Sequence, residues 1–315
     1  MSSRRNAQTW PFPRHRDYEA LLRESNARWF SEHGHRVNPK IPYLLATWED
    51  WTKNIILPEV AEYIKAEQGR RVEQGRGFPL HKYLHHGLSS QAMLFNLTGP
   101  LVIKMDLTPL QSAFQATGIP WPTGGTTLDY ELEDRGIFSE DSGQPTSIDC
   151  AIRGTNGRPL FVEAKLVERE FGGCSVFDGG DCDGRNPARE FGRCYLHHLG
   201  RKYWTLMEKY GFLDGALGES PICPLAMYYQ FFREVIFALE AGGEFVLLFD
   251  ERNPSFYAGK PLTERGLMPF LLSLVPQAIK PYIHIISLQQ VDTAFRTLVQ
   301  AAWLPDFEKK YALIE

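Results

Sequence analysis

The sequence predicts an α/β fold in which a mixed central sheet is flanked by helices and preceded by a helical N-terminal extension. The chain has 315 residues, of which 43% are hydrophobic and 13% aromatic, enough for a substantial core. Apolar residues recur at helical spacing as far as about residue 105, whereas short alternating runs begin after Gly124-Gly125. Apolar runs at 244–250 and 282–287 then alternate with helical stretches, which is typical of buried strands in a mixed sheet.

The N-terminal third is predicted to be helical. Helices are expected over 17–31, over 43–71 with a break at Pro58, and over 88–105 with Ser89 or Ser90 as N-cap and a break near Gly99-Pro100. Residues 1–40 contain eight Lys and Arg against four Asp and Glu, so the extension begins with a basic arm. We therefore predict a helical extension with a basic arm over 1–80 and a second domain over 81–315.

Strands dominate the next part of the chain. Strands are predicted over 128–133, 147–153 and 159–167, followed by helices over 195–210 and 224–240, strands over 244–250 and 282–287, and a helix over 292–303. Gly154-Thr-Asn-Gly157 has the composition of a tight turn, so the second and third strands should form a hairpin. Residues 174–194 are rich in Gly and Asp and are predicted to form a loop.

This hairpin carries ionisable residues on otherwise apolar strands. Side chains alternate between the two faces of a strand, so Glu163 and Lys165 point the same way, with Phe161 in register. If the hairpin forms, Asp149 lies beside Glu163, and two carboxylates and an ammonium group converge. Such groups are costly to bury unless they are paired or functional. A structural ion pair at a sheet edge is the alternative explanation.

The combination is what metal-assisted hydrolysis of a phosphodiester requires. Two carboxylates can hold Mg²⁺ or Mn²⁺ while leaving coordination positions for water and phosphate. Lys165 would orient the attacking water or stabilise the developing negative charge. The acid-x-Lys spacing alone is a weak signal, because it recurs as Glu308-Lys309-Lys310 in a charged stretch near the C-terminus. The position in a hairpin distinguishes the first triplet.

The hairpin resembles the PD-(D/E)XK nuclease superfamily, in which an acidic residue on the second core strand is followed by Glu-x-Lys on the third. The matching residues are Asp149 and then Glu163-Ala164-Lys165. Segments 85–96 and 223–233 are similar to those of bacterial restriction-endonuclease-like proteins, and the resemblance covers roughly 82–287. It implies a restriction-endonuclease-like core and DNA hydrolysis, with Asp149 and Glu163 as metal ligands and Lys165 as catalytic cation. Gln230 would lie on the helix that leans over the active site in this superfamily.

Two positions depart from the superfamily pattern. Ile148 replaces the proline that precedes the first acidic residue, and the first core helix offers Gln91 and no acid on its N-terminal turns. A third metal ligand would then come from the strand 128–133, where Glu131 and Glu133 share a face if alternation holds. We prefer Glu133 as that ligand, with Gln91 as a polar supplement.

Four of the five cysteines follow the third strand, namely Cys174, Cys182, Cys194 and Cys223. Their spacing differs from the two-residue gaps of common zinc ribbons but suits a loop wrapped round one ion or cluster. Three alternatives stay open: a structural Zn²⁺, an iron–sulfur cluster such as some superfamily members carry with a different cysteine arrangement, or ordinary free thiols. Cys150 alternates away from Asp149 and is expected in the core.

We therefore expect an intracellular, cytoplasmic, metal-dependent endonuclease or exonuclease that acts on DNA, in restriction or defence. The formal charge of −4 excludes a globally basic nucleic-acid coat but not a local basic face. No apolar run approaches the roughly 20 residues that cross a bilayer, so no membrane partner is expected. A non-catalytic nucleic-acid-binding protein with the same fold is the second hypothesis, and a hydrolase of a small phosphorylated compound is the third. A homodimer is left open.

Overall fold

The computed structural model describes residues 13–257, 265–299 and 301–314, and so leaves out the first part of the predicted basic arm. Its helices are α1 (His15–Glu32), α2 (Pro58–Glu73), α3 (Ser90–Ile103), α4 (Thr108–Ala116), α5 (Arg135–Phe138), α6 (Ser175–Asp178), α7 (Tyr195–His198), α8 (Tyr203–Lys209), α9 (Ala216–Glu219), α10 (Pro224–Glu240), α11 (Leu267–Ser273), α12 (Leu288–Leu298) and α13 (Trp303–Lys310). Its strands are β1 (Val37–Asn38), β2 (Ile41–Leu45), β3 (Thr127–Glu133), β4 (Ser147–Arg153), β5 (Leu160–Lys165), β6 (Glu244–Phe249) and β7 (Ile283–Ser287). Short 3-10 helices cover Trp48–Asn54, Phe191–Arg193, Phe212–Asp214 and Lys280–Tyr282.

The central sheet contains five strands in the order β3-β4-β5-β6-β7. The strands β3, β4 and β5 are antiparallel, whereas β6 and β7 run parallel to β5. A parallel neighbour needs a long crossover, and the chain from α6 to α10 provides it between β5 and β6. The sheet is therefore mixed and flanked by helices, as predicted. Because β5 is the central strand, the charged pair that it carries does not lie at a sheet edge.

Strand residues alternate between two cores. Val162 and Ala164 pack in the cluster that contains α3 and the C-terminal helices, whereas Ala151 and Phe161 pack in the cluster that contains α10. Cys150 is buried in the first cluster, as predicted. Glu163 and Lys165 alternate in step with Phe161, so they face α10.

The N-terminal helix α1 packs against α13 and the end of β5. The Tyr18 hydroxyl donates to the Leu166 carbonyl at 2.8 Å, and His15 Nε2 lies 2.8 Å from the Val167 carbonyl oxygen. Tyr18 also belongs to the buried cluster that contains Val162 and Ala164 of the sheet. The extension therefore shares a core with the sheet, and the division at residue 80 stays a prediction.

The predicted helix over 43–71 is wrong in its first half. The structure has β2 and the 3-10 helix Trp48–Asn54 there, and the α-helix begins only at Pro58. Proline is favoured in the first turn of a helix, where its missing N–H costs nothing, and it is disfavoured in the interior. Pro58 thus starts α2 at the position where a break is predicted.

The predicted break at Gly99-Pro100 is also wrong, because α3 continues to Ile103. α3 is buried along most of its length, and packing outweighs the hydrogen bond that proline cannot make. Gly99 permits close packing of α2, since a Cβ there would lie 2.4 Å from Val60 Cγ1. The N-cap is Ser89, whose Oγ accepts from the Ala92 amide at 3.3 Å.

Two other predicted helices are each divided. The chain over 195–210 forms α7 and α8, separated at Gly200, which has a φ of 86°. In place of the helix over 292–303, α12 begins earlier and ends at Leu298, and α13 starts at Trp303. Throughout the three described ranges, the helices are too short or too polar to cross a membrane.

Candidate active site

The hairpin of β4 and β5 brings Asp149 next to Glu163. Antiparallel pairing runs from Ile152–Leu160 to Cys150–Val162, so Asp149 and Glu163 are the residues that follow the last pair of the hairpin. There the amide of Ala164 donates to Asp149 Oδ2 at 2.8 Å. The carboxyl group of Asp149 is therefore held on β5, on the strand that carries the Glu-x-Lys triplet.

Glu163, Lys165 and Gln230 form a closed triangle of hydrogen bonds. Lys165 Nζ lies 2.7 Å from Glu163 Oε1 and donates to Gln230 Oε1 at 2.8 Å. Gln230 Nε2 donates to Glu163 Oε1 at 2.6 Å. Because the amide must present its oxygen to the ammonium and its N–H to the carboxylate, its orientation is fixed by both partners. Glu163 is 3% exposed and Lys165 is 6% exposed, so their charges compensate each other away from bulk water.

Lys165 is held in its charged form. Burial alone would lower the pKa of this lysine, but the nearby carboxyl groups of Glu163, Glu168 and Glu234 raise the pKa above its ordinary value. An ammonium group has three donors, and two of them point to Glu163 and Gln230. Lys165 is therefore suited to stabilise negative charge and not to act as a base.

The helix α10 presents Gln230 through a break one turn after its start. Tyr228 has non-helical angles, with φ −131° and ψ 38°. The amides of Tyr229 and Gln230 donate to the carbonyls of Gly172 and Phe171, both at 3.0 Å, instead of continuing the helical pattern. The segment that follows β5 is thereby joined to the helix that carries Gln230.

Glu131 adds a third carboxyl group beside Asp149. It stands between the register pairs Tyr130–Cys150 and Leu132–Ile148, and its φ is 47°. Gln91 Nε2 donates to one carboxylate oxygen at 2.6 Å, and Ser147 Oγ donates to the other at 2.8 Å. Left-handed backbone is uncommon outside glycine, and residues held in it by surrounding contacts concentrate at functional sites.

Glu133, the preferred third ligand, does not line the cleft with Glu131 in the described part of the chain. Tyr130 packs in the cluster that contains α3, whereas Leu132 packs in the cluster that contains α10, so alternation is interrupted at Glu131. The prediction that Glu131 and Glu133 share a face stays a prediction, and Glu133 lies near enough to Glu131 to help raise the pKa of that carboxyl group. The Glu133 carboxylate lies against Gly77, whereas Glu131 and Gln91 line the cleft.

Burial raises the pKa values of two carboxyl groups in the cleft. Burial raises the pKa of Glu131 to about 7, and the neighbouring Glu163 contributes to this rise. Burial, followed by repulsion from Glu163 and Glu131, raises the pKa of Asp149 well above its ordinary value. A bound divalent cation would replace the protons on these groups and balance the negative charge.

Glu234 is a buried acid that the sequence analysis missed. It lies on α10 one turn after Gln230 and is 0% exposed. Burial raises the pKa of this carboxyl group well above its usual range, and Glu163 raises it further. The sequence did contain a signal, because Glu234 interrupts the apolar run Phe231-Phe232 and Val235-Ile236 at helical spacing from Gln230.

The predicted residues line an open cleft of about 870 Å³. Asp149, Glu163 and Lys165 belong to its lining, together with Lys82 and Tyr83 from the segment that precedes α3. Tyr83 is 52% exposed, and Lys82 Nζ lies 4.9 Å from the centre of its ring. The cleft thus combines buried acids with exposed cationic and aromatic groups.

The donor set of the cleft fits a hard divalent cation. Mg²⁺ prefers oxygen ligands and is commonly bound by one or two carboxylates, with water and phosphate completing the shell. Asp149, Glu163 and Glu131 supply carboxylate oxygens, and Glu163 Oε2 is buried with no hydrogen-bond partner in the described part of the chain. Within the same residues, no three His, Cys, Asp or Glu side chains form a complete metal site by themselves. Water and substrate would therefore complete the coordination.

The four cysteines of the predicted cluster meet at a different pocket. Cys174, Cys182, Cys194 and Cys223 all line a small cavity of about 30 Å³ beside Trp204. The thiols of all four are free. The structure therefore brings these residues together even though the sequence separates them widely.

A mixed sheet flanked by helices, with acids, a lysine and a glutamine facing a cleft, is consistent with a restriction-endonuclease-like domain. The sequence model of REase-ARP, described as restriction endonuclease associating with ARP, matches residues 23–312. The chain therefore belongs to this restriction-endonuclease-like family. No curated protein and no solved structure matches the chain.

Proposed function

We propose that this protein is a PD-(D/E)XK-type nuclease that hydrolyses DNA phosphodiester bonds with Mg²⁺ or Mn²⁺, in restriction or a related defence role. The observation that carries the proposal is the convergence of Asp149, Glu163 and Lys165 in one cleft. Membership of a restriction-endonuclease-like family supports the nuclease class. The oxygen-only donor set supports Mg²⁺ or Mn²⁺ as the metal.

Asp149 and Glu163 would hold the cation, and Glu131 is the best placed third carboxyl group. When bound, the cation supplies Lewis-acid activation of the phosphate and of water. Asp149 and Glu131 would lose their protons on binding, because a carboxyl group coordinates a metal as its anion. Glu133, which we preferred from the sequence, lies against Gly77 and is the weaker candidate.

Lys165 would bind the attacking water or a phosphate oxygen with its remaining donor. Its raised pKa keeps it positively charged, so its contribution is electrostatic. Gln230 holds both Lys165 and Glu163 and would keep the ammonium group aimed at the reacting phosphate. Preorganised donors of this kind stabilise the transition state more than the ground state.

DNA is the substrate that the cleft suits best. The lining of the cleft includes the cationic side chains of Lys82 and Arg233 and the ring of Tyr83. Cationic groups contact phosphates, and an exposed tyrosine offers a surface on which a base can stack.

The decisive experiment compares Lys165→Ala with the matched control Lys65→Ala, which removes an exposed lysine paired with Glu62 on α2. Linear, circular, nicked and single-stranded DNA are incubated with each protein, with and without Mg²⁺ or Mn²⁺. We expect the wild type and Lys65→Ala to cleave only with metal, and Lys165→Ala to be slower by at least about 100-fold. Circular dichroism and metal titration check that Lys165→Ala folds and still binds the cation.

Two results would contradict the proposal. Undiminished cleavage by Lys165→Ala would show that Lys165 takes no part in the reaction. DNA binding without cleavage on every substrate and with either metal would favour the second hypothesis, a non-catalytic binding protein that retains the fold.

A further inference from the structure

Before α8, the long crossover between β5 and β6 contains little regular structure. Its first part has the four-residue helices α6 and α7 and the three-residue 3-10 helix Phe191–Arg193. Long irregular segments inside a domain need some stabilising contact, such as a crosslink or a bound ligand. Three of the four clustered cysteines, Cys174, Cys182 and Cys194, lie in this segment, and the fourth, Cys223, immediately precedes α10.

Hydrogen bonds bring the separate cysteine segments onto one another. The Cys223 amide donates to the Gly184 carbonyl at 2.8 Å, and the Cys174 amide donates to the Ala226 carbonyl at 3.0 Å. The Gly184 amide also donates to Cys182 Sγ at 3.4 Å. As a result, four thiols from widely separated positions line one small cavity.

Three of the four cysteines stand at the start of a helix. Cys174, Cys194 and Cys223 each occupy the residue before one, and none of their side chains caps that helix with a hydrogen bond. All three line the same pocket as Cys182, so three helix starts converge on it.

The lining of the pocket suits a metal held by sulfur. Among the described residues that line it, the four thiols are the side chains that commonly bind zinc or iron, and Val176, Phe177 and Trp204 surround them with apolar surface. Thiolates are the ligands of structural zinc ions and of iron–sulfur clusters, and a bound cation would balance their negative charge.

We propose that Cys174, Cys182, Cys194 and Cys223 together bind a tetrathiolate metal centre, either a zinc ion or an iron–sulfur cluster. In the described ranges no group of three or more His, Cys, Asp or Glu side chains is already arranged to hold a metal ion. Binding would therefore draw the four thiols closer together. The centre would crosslink the irregular crossover to the start of α10, and this role is independent of the nuclease proposal.

The test measures metal content in the full-length protein and in matched cysteine variants, all purified under anaerobic conditions. Cys182→Ser and Cys194→Ser change half-buried ligands, whereas Cys150→Ala changes the buried cysteine of β4 and serves as the control. Zinc, iron and acid-labile sulfide are quantified, and the visible spectrum is recorded. We expect one centre per chain in the wild type and in Cys150→Ala, with a loss of at least about tenfold in both serine variants.

The metal found distinguishes the two forms of the centre. Iron and sulfide in equal amounts with a coloured protein identify the cluster, and stoichiometric zinc with a colourless protein identifies the single ion. If the serine variants do not fold, the wild type is treated with a thiol-modifying reagent, which should release the metal. A wild type without metal after anaerobic reconstitution, or metal that stays bound in Cys182→Ser and Cys194→Ser, would overturn the proposal. Two disulfides found by mass spectrometry would overturn it as well.

Discussion

The carboxylate cleft and the cysteine pocket lie in the same domain but are built in opposite ways. Strands β4 and β5 carry the central charged groups of the cleft, and the hairpin together with the hydrogen bond from the Ala164 amide to Asp149 holds Asp149 beside β5. The pocket is formed by irregular chain whose segments meet through a few backbone hydrogen bonds. The cleft has about 870 Å³ of open space, whereas the pocket has about 30 Å³.

This difference indicates how tightly each site is expected to bind its metal. Hard oxygen ligands in an open cleft suit a cation that exchanges with solvent and shares its shell with substrate. Soft thiolates in a closed pocket suit a metal that stays bound and contributes to folding. The sheet fixes the positions of the metal ligands in the carboxylate cleft. In the cysteine pocket, by contrast, a bound metal would itself fix the conformation of an irregular segment.

Chelation should separate the two sites most clearly. After dialysis against EDTA, we expect DNA cleavage to fall to the limit of detection and to return fully when Mg²⁺ is added. Iron or zinc in the cysteine pocket should remain, and metal analysis of the dialysed sample checks this. Cleavage that persists in EDTA would contradict an exchangeable metal in the cleft. Loss of iron or zinc in the first dialysis would contradict a tightly bound metal in the cysteine pocket.

Glu163→Gln should remove cleavage almost as completely while preserving the size of the side chain. The substitution deletes a metal-binding anion and the charge partner of buried Lys165, so metal affinity and catalysis both fall. Cleavage assays and isothermal titration with Mn²⁺ measure the two effects. The metal content of the cysteine pocket should stay at the wild-type level, and a parallel loss would mean that the two sites are not independent.

Glu131→Gln should change the pH dependence of stability. The pKa of Glu131 rises on folding from 4.5 to about 7, so the folded chain binds this proton more tightly and stability falls as pH rises through that window. The free energy of unfolding of the variant, relative to that of the wild type, should therefore be about 1–3 kcal/mol higher at pH 8 than at pH 4. Denaturant unfolding in EDTA at both pH values provides the measurement.

The matched control for this prediction is Glu133→Gln. It leaves Glu131 intact and alters a carboxylate that lies against Gly77 and makes only a small contribution to the raised pKa of Glu131, so we expect a pH profile close to that of the wild type. An equal change in both variants would show that the effect does not come from the carboxyl group in the cleft.

Gln230→Ala should have the smallest effect on cleavage, a reduction of roughly 10- to 100-fold. The glutamine contacts Lys165 and Glu163 and positions them, but it does not replace either charge. Single-turnover kinetics at saturating Mg²⁺ measure the chemical step. Gln230→Glu adds a negative charge beside Glu163 and should be slower than Gln230→Ala, which distinguishes a positioning amide from a general need for polarity.

Much of the cleft follows from local sequence rules. The glycine-rich turn and the alternation of Asp149, Glu163 and Lys165 suffice to predict a hairpin with converging charges, and the structure has that hairpin. The alternation rule does not hold at Glu131, because its φ is positive. The sequence gives no signal that predicts left-handed backbone at a glutamate. The preference for Glu133 rested on regular alternation at that point.

Tertiary packing explains the remaining differences. Pro100 lies inside α3 because burial of the whole helix outweighs the cost of proline. The meeting of four cysteines depends on hydrogen bonds between segments that are distant in sequence, such as Cys223 with Gly184. Spacing could suggest a shared site, but only the folded crossover places the thiols on one cavity.

The break at Tyr228 has a consequence for how loop length can vary in this protein. Gln230 is held at its amide by the Phe171 carbonyl, a few residues after Lys165 on the same chain. The length of the stretch between them is therefore constrained, so substitutions at its exposed positions Arg169 and Glu170 should be tolerated better than insertions or deletions. One residue inserted before Phe171 would move the side-chain amide of Gln230 away from Lys165. This would happen although no active-site residue had been substituted.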